Sequence, residues 1–402
     1  VKLLQLCKKV PLPPKDGEAV AVLALAKAYR SLGHQVDLLA FNTSKHLVDK
    51  EDIKKEDHPY AKIETIYLDT GINYYRAFTN LFSNSSFNIA RFTSQKFKDS
   101  LKAMLLAESY DIVQLESLYM APYTETVREH SPHTNVIMRS HNVEGVIWEN
   151  LAKGSKNPLL KWYYGLCANR LFRYEKASFP KYDLLMAISP SDLERFKDMG
   201  LNTKSTVIPV GLDTNEYRLT DIDHRMPLKL GYLGSLDWKP NIEGLLWFFK
   251  DVWPAIHKRY GYNFALAGRN PVSEILELNC EGLINRGEVE SSVDFLSHLD
   301  VVVVPLFSGS GIRVKILESM AMGKIVVSTT KGFEGIDIVH GVHAFVAERP
   351  EEYMEVFKTL EDPMTIDLVA RNARRFVEEQ FDYLNLADKA LKNINNTGNE
   401  IQ

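Results

Sequence analysis

The sequence predicts an α/β protein built as two doubly wound parallel-sheet domains joined near residues 213–227. Three observations lead there. The chain has 402 residues, and at roughly 100–200 residues per domain this calls for two or three domains. Short apolar runs alternate along it with helix-length segments, the pattern of parallel strands covered by helices. One of these runs, Val301–Val304, is apolar at every position, as a strand buried on both faces requires.

Leu3–Leu6 opens the first series and breaks at Pro11, Pro13 and Pro14. A helical stretch from about Glu18 to Leu32 follows, stopped by Gly33, and Val36–Phe41 is the next strand, completing one βαβ unit. Asp111–Leu115, Val136–Met138 and Leu184–Ile188 each repeat the theme of an apolar run, a polar loop and a helical segment. Asp213–Pro227, rich in Asp, Thr and Arg, reads as a linker. Beyond it, Leu228–Leu233, Asn263–Ala267, Val301–Val304, Ile325–Ser328 and Ala344–Val346 form a second series. The boundaries fall at 1–212 and 213–382, with a last helix near Tyr383–Asn395. Asp49–Asp57, dense in charge of both signs, reads as a solvated loop.

Hydrophobic residues are 45% and charged residues 25%, the balance of a globular protein. A net charge of -4 supplies no basic field for phosphate backbones, so nucleic acid is not an expected partner. Cys7, Cys167 and Cys280 are far apart and form no CxxC, which suggests neither a disulfide framework nor a cysteine zinc site. Lys8, Lys9 and Pro11 come too early for a signal-peptide core, and no apolar run approaches the ~20 residues of a membrane helix. A cytoplasmic location is expected. HExxH, Walker A and a full GxGxxG are all missing, and Asp221-Ile222-Asp223 reads as a solvated turn. No metal and no cofactor are assigned.

In open α/β sheets ligands bind beyond the carboxyl ends of the strands. The loop after Val301–Val304 runs from Pro305 through Gly309-Ser310-Gly311-Ile312-Arg313-Val314-Lys315 to Glu318 and Gly323. Its glycines allow close backbone approach, and a helix beginning after Gly311 would aim free N–H groups at an anion. Arg313 and Lys315 in a first turn oppose the helix dipole, a cost that a bound anion removes. Glu318, about two turns along, suits the vicinal hydroxyls of a ribose.

The run from Pro305 to Gly323, continuing through Ile325-Val-Val-Ser-Thr, resembles the donor-binding region of the retaining glycosyltransferases of family 4. The resemblance implies two Rossmann-like domains facing across a cleft (the GT-B fold), with a final helix crossing back to the first domain. It places Glu318 on the second Glu of the family's Glu-x7-Glu pattern, which holds the ribose, and Ser310 on the first. Gly231 to Asn241 stands where the family has a Gly-Arg…Lys pair for the donor diphosphate. Ser235 occupies the Arg position and Lys239 falls one residue early, so Arg313 and Lys315 are expected to take over the phosphate charge. Pro13 to Ala19, with Gly17, resembles the N-terminal glycine loop; capping by Asp16 is its structural alternative. Arg139-Ser140-His141-Asn142-Val143-Glu144 resembles the His-Asn loop, whose His contacts the transferred sugar. Val207-Ile-Pro209-Val210-Gly211 resembles the interdomain Ile-Pro-Asn-Gly turn. Gly268-Arg269 and Gly287-Glu288-Val289 are expected beside the nucleobase.

The expectation is a glycosyltransferase moving a sugar from a UDP- or GDP-linked donor to a sugar or lipid-linked acceptor with retention, in cell-surface polysaccharide or lipid-linked glycan synthesis. A nucleotide-sugar 2-epimerase of the same fold and a non-catalytic partner of another transferase are the alternatives. Leu159–Phe179 mixes aromatic and basic residues and reads as a packing helix, with contact to the inner face of an anionic membrane as the alternative.

Overall fold

The computed structural model describes residues 1–14, 16–49, 58–71, 86–220, 222, 227–309 and 311–398. It divides the chain into one unit of 1–211 with 383–402 and a second of 212–382.

The first unit holds seven strands: β1 (Lys2–Cys7), β2 (Gln35–Thr43), β3 (Lys62–Leu68), β4 (Ile112–Glu116), β5 (Asn135–Ser140), β6 (Leu184–Ala187) and β7 (Ser205–Val207). Their order is β3-β2-β1-β4-β5-β6-β7, with every pair parallel. The second holds β8 (Lys229–Leu233), β9 (Asn263–Ala267), β10 (Leu283–Gly287), β11 (Val301–Val304), β12 (Ile325–Ser328) and β13 (Phe345–Val346), in the order β10-β9-β8-β11-β12-β13. Counted from its own first strand, each sheet begins 3-2-1-4-5-6, the doubly wound order whose switch point lies between the first and fourth strands. The chain is thus two parallel-sheet α/β domains.

Strand periodicity decides what each face carries. Along β1, Leu4 and Leu6 enter one apolar cluster with Val113, Leu115, Val136 and Met138. Leu3 enters the opposite cluster with Ile112 and Ile137, under the helix Gly17–Ser31. The final helix, Tyr383–Gly398, brings Leu386, Ala387, Ala390 and Leu391 to that same cluster. Its apolar spacing of three and four is the one-sided stripe a docked helix needs. In the second unit all four valines of β11 are buried.

Three strands were not anticipated: β3, β7 and β10. Each lies at the edge of its sheet, where one side is open and a continuous apolar run is not required. The first residues of the expected linker belong to the second unit. Arg374, on the helix Pro363–Gln380, donates to the carbonyls of Thr214, Tyr217 and Ala321 and fastens residues 214–217 to the second unit. Asp221 and Asp223 of the Asp-x-Asp sequence, and 50–57 of the charged stretch, lie outside the described residues.

Candidate functional site

In the second unit part of the expected donor set, with Arg313, Lys315 and Glu318 at its centre, gathers at the carboxyl ends of β8, β9 and β11. The helix after β11 spans Val314–Ala321, later than the sequence suggested. Gly309 and Gly311 have φ of +98° and +85°, and Arg313 is itself non-helical. Arg313 is therefore the N-cap residue, Lys315 the second residue of the helix, and Glu318 little more than one turn in.

Arg313 is buried and its guanidinium lies 5.2 Å from the centre of the Trp238 ring, within cation–π range. Burial lowers the Arg313 pKa, against the pull of Glu334. Gly309 completes this corner: a Cβ there would come within 2.7 Å of the Trp238 ring, and its positive φ disfavours any other residue. Lys315 Nζ donates to Tyr232 Oη at 2.6 Å and sits 4.1 Å over the same ring. Desolvation, with Arg313 close by and Glu318 pulling the other way, brings Lys315 down to about 7. Tyr217 Oη donates to Glu318 Oε1 at 3.0 Å; burial raises the Glu318 pKa, opposed by Tyr217 and Lys315. Two cations and one carboxylate, all desolvated, thus surround a helix N-terminus, an arrangement suited to a polyanion.

Gly268 belongs to this cluster. A Cβ on it would lie 1.8 Å from the Gly234 carbonyl oxygen, so the loops after β8 and β9 touch backbone to backbone there. Ser235 Oγ donates to Asp237 Oδ1 at 2.5 Å, and its carbonyl accepts from Asn241 Nδ2. Arg269 is exposed, near Asp237. Ile312 packs partly buried against the core. Lys239 stands apart, with its side chain 84% exposed and paired to Glu243. Val289 lines a different cavity, against Leu230 and Ala265. Ser310 lies outside the described residues.

In the first unit, Gly17 begins its helix and Asp16 caps it, accepting from Ala19 N. His141 follows β5, and its Nε2 is 2.9 Å from Glu116 Oε2. Glu116, at the end of β4, is fully buried and also receives Gln5 Nε2 at 3.0 Å and the Gln114 amide. Arg139 Nη1 lies 3.7 Å from it and donates to Ala21 O at 2.9 Å. Period two explains the assembly: Gln5, Gln114, Glu116 and Arg139 all fall on the face of Leu3, Ile112 and Ile137, and register pairs Gln5 with Gln114 and Glu116 with Arg139. A carboxylate only accepts, so His141 carries its proton on Nε2. Its Nδ1 is buried without a hydrogen-bond partner among the described residues.

Sequence reasoning missed Glu116, Tyr217 and Arg374. Glu116 was legible in the alternation Ile-Val-Gln-Leu-Glu, where polar residues share one strand face. Nothing in the sequence marks Tyr217 or Arg374.

The helix Pro158–Ser178 packs through Cys167, Ala168, Leu171 and Glu175, while Leu159 and Trp162 at its start are 77% and 61% exposed. Among the described residues no helix is long and apolar enough to cross a membrane.

Comparison with known proteins bears on both units. An uncharacterized 44.6 kDa protein in the cps region of Klebsiella pneumoniae is 24% identical over 396 residues, spanning 95% of this chain and 96% of that one. Among solved structures, Anabaena Alr3699/HepE in complex with UDP superposes with a TM-score of 0.68 at 14% identity, covering 98% of this chain and all of that one. Sucrose-phosphate synthase from Thermosynechococcus elongatus gives 0.66 at 17% identity, with 98% of each chain covered. Both likenesses concern the fold. Residues 227–362 match the glycosyl transferases group 1 and residues 16–216 match Glycosyltransferase Family 4. This chain, with two parallel-sheet domains of the GT-B type, belongs to the family 4 glycosyltransferases.

Proposed function

We propose that the chain transfers a sugar from a nucleoside-diphosphate sugar to an acceptor hydroxyl with retention of anomeric configuration. The observation that carries this is the desolvated Arg313–Lys315–Glu318 group at a helix N-terminus. Arg313, Lys315 and the helix N–H groups take the diphosphate, and the Glu318 oxygen not held by Tyr217 takes the ribose diol. Complexes of Anabaena HepE with UDP, and with UDP-glucose, support a UDP-linked donor. As the glycosidic bond breaks, negative charge grows on the leaving diphosphate, where preorganised cations lower the barrier most. The leaving phosphate then removes the acceptor proton on the same face. His141, held by Glu116, offers Nδ1 to a hydroxyl of the transferred sugar. No metal or cofactor enters this scheme.

The test is incubation with UDP- and GDP-sugars and a panel of sugar acceptors, with product anomers read by NMR. A new glycosidic bond of the donor's anomeric configuration is expected; an inverted product overturns retention. Conversion of the donor to its 2-epimer without acceptor favours the isomerase instead.

We also place the chain in the cytoplasm against an anionic membrane, in cell-surface or lipid-linked glycan assembly. Leu151, Leu159, Leu160 and Trp162 are exposed around the turn between the helices Glu144–Gly154 and Pro158–Ser178, flanked by Lys153, Lys156 and Lys161. Apolar anchors ringed by lysines suit an anionic interface. Co-sedimentation with phosphatidylglycerol vesicles, lost on Trp162→Ser with Leu159→Ser, is the expected result. Equal recovery of both proteins with vesicles, or of neither, contradicts it.

A further inference from the structure

We propose that the first unit holds an anionic group of the acceptor, a phosphate or a carboxylate, in a cationic pocket beside His141. The inference rests on the transferase reading above and specifies its acceptor. A cavity of about 330 Å³ lies at the carboxyl ends of β1, β2 and β3. Lys8 directly follows β1, Thr43 ends β2 and Thr70 stands two residues beyond β3. This is the end of a parallel sheet where ligands bind.

Four cations line it: Lys8, Lys9, Lys45 and Arg91. Two are fixed. The Lys8 side chain is 18% exposed and lies 2.9 Å from Glu18, and the Lys9 side chain is 15% exposed and bonded to Asp16. These carboxylates neutralise their own partners. Lys45 and Arg91 form no ion pair among the described residues, so the cations that line the pocket outnumber the carboxylates paired to them by two. Arg91 Nη2 donates to the Thr70 carbonyl, which anchors the guanidinium. A guanidinium carries five N–H donors in a planar fork, and among the described residues Arg91 spends one of them on Thr70. That fork matches the paired oxygens of a carboxylate or phosphate.

The pocket is linked by contacts to the His141 loop. Lys8 Nζ lies 4.9 Å over the Tyr119 ring, and Tyr119 Oη donates at 2.9 Å to Glu144, three residues beyond His141. In this proposal an acceptor whose anion rests on Arg91 and Lys45 runs past Lys8 toward the His141 loop. The volume is at the small end for ligand pockets, enough for a charged headgroup and too small for a long oligosaccharide.

The test is calorimetric titration of the UDP-saturated protein with inorganic pyrophosphate and, separately, with glucuronate. Saturation with UDP keeps the Arg313–Lys315 site occupied. At least one anion is expected to bind, and Arg91→Gln and Lys45→Gln should each weaken it about tenfold, the scale of one lost charged contact, with UDP affinity unchanged. Pyrophosphate binding identifies a phosphorylated acceptor; glucuronate binding identifies a uronic acid. If neither anion binds, or both variants bind as wild type, the proposal is overturned. Should UDP itself fail to bind, the donor reading falls, and the same titration of an Arg313→Gln protein without UDP tests the pocket alone.

Discussion

Nucleotide binding should draw a proton onto Lys315. Its ammonium, desolvated and close to Arg313, titrates at about 7 in the free protein against an ordinary 10.5. At one pH unit above that value only about a tenth of the side chain is charged. A diphosphate beside it favours the charged form, so the bound protein keeps the proton to higher pH. Above about pH 7, UDP affinity should therefore fall roughly tenfold per pH unit, about 1.4 kcal/mol each, until the bound-state pKa is reached. The same group bears on stability with a definite sign. Its folded pKa lies below its unfolded one, so the unfolded chain binds more protons between about 7 and 10.5. The penalty for charging Lys315 is present in full below about 7 and fades as pH rises through that window. The assay is calorimetric titration with UDP at about pH 6.5, 7.5 and 8.5, each in two buffers of different ionisation enthalpy. Proton uptake approaching one at the highest pH is expected. Lys315→Arg keeps its charge throughout and should flatten the profile. Constant wild-type affinity with no buffer-dependent heat, or an equal slope in Lys315→Arg, would refute the reasoning.

Further outcomes follow from the geometry. Glu116→Gln removes the carboxylate facing buried Arg139 and His141; breaking one side of a buried charge group costs about 3–5 kcal/mol. Urea unfolding should show that loss in the transition of the first unit, with UDP affinity unchanged, and an unshifted transition contradicts it. Gly309→Ala forces a residue with a Cβ into φ of +98° against Trp238, a strain of about 1–3 kcal/mol. Fluorescence of Trp238 and UDP titration should report a displaced loop and an affinity about tenfold weaker, whereas wild-type behaviour in both would show that the loop adapts freely.

Fold and site were legible in the sequence to different depths. Central strands announce themselves because both faces are covered: β11 is four valines, and all four are buried. Most edge strands do not, β13 at Phe345–Val346 being the exception. β3 and β10 leave most of their residues half or fully exposed, so their sequences carry Glu, Thr, Asn and Arg without an apolar run. The return of the last helix to the first domain was expected from the family resemblance, and its apolar stripe enters the first core. Arg313, Lys315 and Glu318 could be read as a group because they follow a strand on one short segment. Tyr217 and Arg374 could not. They meet Glu318 and the 214–217 carbonyls only through packing across more than a hundred residues of chain, and no local spacing encodes such a contact. The polar set Gln5, Gln114, Glu116 and Arg139 lies between these cases: the parity of each strand was readable, while the register that joins them was not.

The central claim is that the second unit holds a nucleoside diphosphate on Arg313, Lys315 and Glu318. Thermal unfolding of wild type and Glu318→Ala with UDP, GDP and ADP tests it most directly. A ligand at about 100 times its dissociation constant adds about 2.7 kcal/mol, a rise of roughly 5–10 °C for a domain of this size. One nucleotide should produce that rise in wild type and lose most of it in Glu318→Ala. No rise with any of the three, or an equal rise in the variant, would contradict the account.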